Sequence, residues 1–141
     1  MKSYTDLKQS KKLTEILPLE SADMWWLYIT AQGKHIAMMH DEPDPHYIAR
    51  MESYGIKNAA IRCWSLAALL DLIPSKIYDN NGNYAYLWVH KDIDEQQNKD
   101  NHYLAYYDPY DDFEHIETSK YDNFVDACYD MILKLNELKM L

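Results

Sequence analysis

The chain is expected to fold as an α+β domain, with an antiparallel sheet of about four or five strands covered on one face by helices. Three observations predict this. Residues 65–74 and 122–139 repeat apolar side chains at helical spacing between cap and stop signals. Residues 24–29, 84–90 and 102–107 are aromatic, β-compatible runs bounded by turn residues. The chain of 141 residues, 48% hydrophobic and 26% charged, has ordinary globular composition and the size to bury one core. A single globular domain over residues 1–141 is therefore expected, with no repeat or linker to divide it.

Taken in order, Thr5 or Ser10 can cap a short helix that gathers Leu13, Ile16 and Leu17 and stops before Pro18. Gly33 separates Met-Trp-Trp-Leu-Tyr-Ile from His-Ile-Ala-Met-Met-His, the pattern of a hairpin. Asp44 followed by Pro45 starts a helix, with Tyr47, Ile48 and Met51 as its buried stripe and Gly55 as its stop. Leu66, Leu69, Leu70 and Ile73 form the clearest helical face, with Ser65 as N-cap and Pro74 forbidding continuation. Asn80-Asn-Gly-Asn83 suits a tight turn before a strand at 84–90. A polar loop at 92–101 is expected next, then a strand at 102–107, a turn at 108–112 and a short strand at 113–117. The last helix starts at Asp122 or Asn123 and runs to about Lys139. Val125, Cys128, Ile132 and Leu135 lie on its apolar face, and Asp130 and Lys134 form an i,i+4 pair on the other.

Composition narrows function. The net charge of -9 opposes tight phosphate-backbone binding, so direct nucleic-acid binding is not expected. No apolar run approaches the roughly 20 residues that span a bilayer, and the first residues lack a signal-peptide h-region, so no membrane association and a cytoplasmic location are expected. Cys63 and Cys128 are too few for a disulfide framework or a zinc motif and read as core residues. The only glycines, 33, 55 and 82, are too far apart for a phosphate loop. No cofactor is expected.

Two segments, Trp-Ser-Leu-Ala-Ala-Leu-Leu-Asp-Leu-Ile-Pro at 64–74 and Asp-Asn-Phe-Val-Asp-Ala-Cys-Tyr-Asp-Met-Ile-Leu-Lys-Leu at 122–135, carry a resemblance. They are similar to a group of small uncharacterised proteins carried on prophages and other mobile elements of gut anaerobes. Phe124 stands where that group has Pro, a departure that changes capping more than core. The resemblance implies a prokaryotic, mobile-element context and carries no functional residue with it.

Among candidate sites, His40-Asp-Glu-Pro-Asp-Pro-His46 combines imidazole and carboxylate as zinc or non-haem iron sites do, but its two prolines favour a loop in which Asp44 is a helix cap. The segment from Asp92 imitates a calcium loop, yet has Gln97 at the glycine position and Tyr103 at the position of the bidentate Glu. Cys63 precedes a helix and could be an activated thiolate, but no flanking signature supplies a histidine.

The final third differs in kind. After residue 90, thirteen carboxylates face five lysines, a net -8, and six of the thirteen tyrosines lie there. Tyrosine supplies large amphipathic contact area, and a one-signed field steers an oppositely charged partner. The expectation is a non-enzymatic protein-binding module that uses Tyr106, Tyr107, Tyr110, Asp111 and Asp112 to engage a basic partner protein such as a nuclease or other host factor. The alternative is a small metal-dependent enzyme around His40, Asp41, Asp44 and His46. A homo-oligomeric structural component is a third reading.

Overall fold

In the computed structural model, which describes residues 1–39, 41–110, 112–113 and 115–141, antiparallel strands and helices alternate as an α+β fold. The strands fall into two sheets of three and four rather than one of four or five. The chain correspondingly divides into two compact units, residues 4–68 and residues 1–3 with 69–141, the boundary falling within the third helix.

The first unit opens with α1 (Leu7–Thr14). Its cap is Asp6 and not Thr5 or Ser10. The Asp6 carboxylate accepts from Gln9 N at 2.8 Å while Gln9 Oε1 accepts from Asp6 N at 3.1 Å, a reciprocal box that satisfies two backbone donors. Thr5 and Ser10 are instead buried, their hydroxyls 2.7 Å apart, and Thr5 Oγ1 accepts from Trp64 N. A single 3₁₀ turn at Leu19–Ser21 leads to β1 (Met24–Ile29), which takes β2 (Lys34–Met38) on one edge as the expected hairpin, with Gly33 at φ +64°. Its other edge takes β3 (Ala60–Cys63), a strand too short for its alternation to stand out in the sequence.

Between β2 and β3, α2 (Pro45–Ser53) starts as expected, with Asp44 Oδ1 accepting from His46 N and Met51 buried. Leu13, Met24, Leu27, Ile61, Cys63 and Trp64 are buried in this unit. The Trp64 indole donates to Ser21 Oγ at 2.9 Å, so its one polar atom is satisfied inside.

α3 (Leu66–Leu72) is capped by Ser65, whose Oγ accepts from Ala68 N at 3.2 Å. Asp23 in turn accepts from Ser65 N at 2.8 Å. In the second unit β4 (Lys76–Tyr78), β5 (Tyr84–Asp94), β6 (Lys99–Tyr107) and β7 (Ile116–Glu117) form one antiparallel sheet in sequence order. The β4–β5 turn is built on Asp79, which accepts from Asn81 N, Asn83 N and Asn83 Nδ2, while Gly82 sits at φ +84°. Desolvation opposes ionisation of Asp79, but these hydrogen bonds prevail and hold its carboxyl below the usual range.

The polar loop expected at 92–101 is mostly strand. β5 and β6 pair from Tyr86↔Tyr107 to Asp94↔Lys99, so only residues 95–98 turn. The last strand is confined to Ile116–Glu117.

α4 (Phe124–Glu137) is capped by Asn123, whose Oδ1 accepts from Asp126 N at 2.9 Å. It packs on β6. Val125, Ala127, Cys128, Met131, Ile132 and Leu135 are buried along it. They share the unit with buried Ile77, Ala85, Leu104, Tyr106 and Ile116 from the sheet. His102, also on that row of β6, meets the Phe124 ring edge-on at 4.6 Å.

Candidate functional site

Alternation along paired strands sorts the four-stranded sheet into two chemically different faces. One row holds buried Ile77, Ala85, Leu104, Tyr106 and Ile116, and becomes exposed farther along β5 at Val89 and Ile93. The other row, by register, holds Tyr78, Tyr84, Tyr86, Trp88, His90, Tyr103 and Tyr107, seven aromatic rings on one face. Trp88 is 49% exposed, Tyr107 52%, and Tyr78 and Tyr86 are exposed as well.

The rings are ordered against one another. His90 stacks on Tyr103 with centroids 4.6 Å apart and planes within 8°. Trp88 stacks on His90 at 5.6 Å and meets Tyr107 at 5.2 Å. Further along, Tyr84 meets Tyr86 edge-on at 5.5 Å and Tyr78 at 6.3 Å. Such contacts hold the rings of an exposed face in fixed positions before any ligand arrives, which lowers the entropy lost on binding.

A cleft of about 490 Å³ opens along this face, lined by Trp88, His90, Tyr103 and Tyr107 together with Phe113, His115, Glu117 and Asp108. Its size and lining match those of small-ligand or side-chain sites. Glu117 Oε2 lies 3.4 Å from His115 Nε2. Asp108 is committed to the adjacent loop: its oxygens accept from Tyr110 N at 2.8 Å and from Asp112 N and Phe113 N at 2.6 Å each. Two cations of the chain sit at the two ends of the ring row. Lys76 Nζ lies 4.1 Å from the Tyr84 centroid and near Tyr78 and Tyr86, while Lys120 Nζ lies 5.5 Å from Tyr103.

The residues expected to form the binding surface divide. Tyr107 belongs to the ring face and lines the cleft. Tyr110, 71% exposed, and exposed Asp112 stand on the neighbouring loop beside Tyr84 and Gly82. Asp111 lies outside the described residues. Tyr106, expected on the same surface as Tyr107, is only 3% exposed and donates its hydroxyl to Pro74 O at 2.6 Å. Neighbours along a strand point to opposite faces, so the two tyrosines cannot share a surface. Burial raises the Tyr106 phenol above its ordinary range.

The sequence by itself does not single out Trp88, His90, Tyr86 and Tyr103. The spacing Tyr84, Tyr86, Trp88, His90 is a visible signal, but the interleaved Ala85, Leu87 and Val89 are apolar too, so alternation alone does not say which row faces out.

The other candidates form no assembled site among the described residues. Of the His40–His46 segment, His40 lies outside the described residues, and Asp44 is occupied as the α2 cap. Among the described residues no three His, Cys, Asp or Glu side chains gather as a metal site. Cys63 and Cys128 are buried, and burial pushes both thiols up, Cys128 to about 12. Among the described residues no helix is long and apolar enough to cross a membrane. The chain matches no protein-family model, and comparisons with curated proteins and with solved structures return no match.

Proposed function

We propose that this chain is a non-enzymatic, cytoplasmic protein-binding module of mobile-element origin, and that it engages a basic partner protein through the ring-bearing face of its four-stranded sheet. The observation that carries the reading is the row of seven rings on β4, β5 and β6, in ring-to-ring contact in two groups and exposed at Tyr78, Tyr86, Trp88 and Tyr107, in the unit that also holds most of the negative charge. Exposed aromatic clusters of this kind are interaction sites far more often than unused surface. Rings on a sheet also stack nucleic-acid bases, but a net -8 after residue 90 repels a phosphate backbone.

The test is a selection of displayed random 12-residue peptides on the immobilised chain. Enrichment of positively charged sequences, with binding lost in Trp88→Ala and Tyr107→Ala, is the expected outcome. Enrichment without charge bias, or binding indifferent to both substitutions, would refute it, as would tighter binding of single-stranded RNA than of any peptide.

A further inference from the structure

From the cleft on the ring face we infer a pocket for an arginine side chain, stacked on the open faces of Trp88 and Tyr107 with Glu117 at its rim, by which a basic partner segment is anchored. This deepens the protein-binding reading and rests on it. Two features of the face point to a guanidinium.

The first is an internal precedent. A cation of the chain already lies over this face: Lys76 Nζ sits 5.0, 4.1 and 5.4 Å from the centroids of Tyr78, Tyr84 and Tyr86. A ring face attracts a cation because its π cloud is negative. Among the described residues no cation of the chain lies over Trp88 or Tyr107, whose rings are half exposed and 5.2 Å apart. Lys76 covers one end of the face and Lys120 lies over Tyr103 at the other, so Trp88 and Tyr107 are the rings left open between two cations.

The second is charge at the cleft. Glu117 lines it directly. Asp108 lines it too, its charge spread over three backbone hydrogen bonds. A cleft that combines rings with carboxylates disfavours an anion and an uncharged aliphatic chain alike. A planar guanidinium can stack on a ring and still direct its N–H groups sideways to a carboxylate, which a compact ammonium does less well.

The test uses acetylated hexa-arginine, hexa-lysine and hexa-citrulline peptides, citrulline having the shape of arginine without its charge. Binding is followed by the indole N–H resonance of Trp88, assigned through Trp88→Phe. Hexa-arginine is expected to shift that resonance, to bind at least tenfold more tightly than hexa-citrulline and severalfold more tightly than hexa-lysine. Glu117→Gln is expected to weaken it about fivefold, with unchanged circular dichroism and unfolding midpoint. Equal binding of hexa-citrulline, or hexa-arginine binding that leaves Trp88 unmoved, overturns the pocket. Selected peptides that bind through Trp88 without arginine also overturn it while leaving the protein-binding reading intact. Absence of binding by any peptide removes both.

Discussion

Tyr106 and Tyr107 are adjacent in sequence and are expected to answer mutation in opposite currencies. The Tyr106 ring is 3% exposed within the second unit and its hydroxyl holds the Pro74 carbonyl at 2.6 Å. Truncating a buried ring of this size costs about 3–5 kcal/mol, so Tyr106→Ala is expected to cost ~4 kcal/mol, a large part of the stability of a small protein. Tyr106→Phe keeps the ring and leaves only the carbonyl without its donor, for about 1–2 kcal/mol. Tyr107 is 52% exposed and loses chiefly its contact with Trp88, so Tyr107→Ala should cost about 1 kcal/mol and Tyr107→Phe under ~0.5 kcal/mol. Urea unfolding followed by circular dichroism, with the slope of the transition unchanged, measures all four. Peptide binding should show the reverse order, lost in Tyr107→Ala and kept in Tyr106→Phe. Equal stability losses for the two alanine variants, or a costly Tyr107→Phe beside a neutral Tyr106→Phe, would refute the assignment of the rows to opposite faces.

Further outcomes are expected elsewhere. Burial raises the Cys128 thiol to about 12 from an ordinary value of 9.0, so the folded state keeps a proton that the unfolded state releases. Stability contributed this way is complete below pH 9 and is lost as pH rises toward 12, by up to ~1.4 kcal/mol per pH unit. Cys63 and Tyr106 act with the same sign; urea midpoints at pH 8 and 10.5 should differ less in Cys128→Ala than in the parent. At the start of α4, Asn123→Ala removes the oxygen that receives Asp126 N and should lower stability by about 1 kcal/mol, whereas Asn123→Ser should recover most of it. Gly82 stands at φ +84° with open space where a Cβ would go, so Gly82→Ala should cost about 1 kcal/mol through backbone strain alone, and a neutral result in thermal unfolding would contradict that turn geometry.

Legibility in the sequence followed the strength of local signals. α3 and α4 were readable because cap, period and stop agree: Ser65 before Leu66, Pro74 after Ile73, Asn123 before Val125. The cap of α1 was misplaced because Thr5, Ser10 and Asp6 are all good cap residues, and Gln9 decides among them only by its reciprocal bond. β3 has just four residues, too few for its alternation to stand out, and the outer parts of β5 and β6 are polar apart from Ile93. Division into two sheets depends on which strand takes each edge of β1, a long-range matter that local pattern does not carry. In the site, Tyr107 was readable as an exposed tyrosine near acids, but the ring row was not, because its rings are brought together by the register Tyr86↔Tyr107, Trp88↔Ala105 and His90↔Tyr103.

The length of the β5–β6 hairpin has a consequence for how this chain keeps to itself. Among the described residues β4 pairs with β5 only at Tyr84, Ala85 and Tyr86, and the outer edge of β6 is bonded no farther out than the His102↔Tyr121 bridge, so beyond His102 the hairpin runs on as a two-stranded arm. Open backbone groups on such an arm are a template onto which a second copy could add a strand. The arm's outer part carries Lys91, Asp92, Asp94, Lys99 and Asp100, and closes with Glu95 in the turn. Charges at that spacing make a flat, edge-to-edge approach unfavourable. Part of the acidity that suggests a partner is, at this end of the sheet, a means of refusing the wrong one.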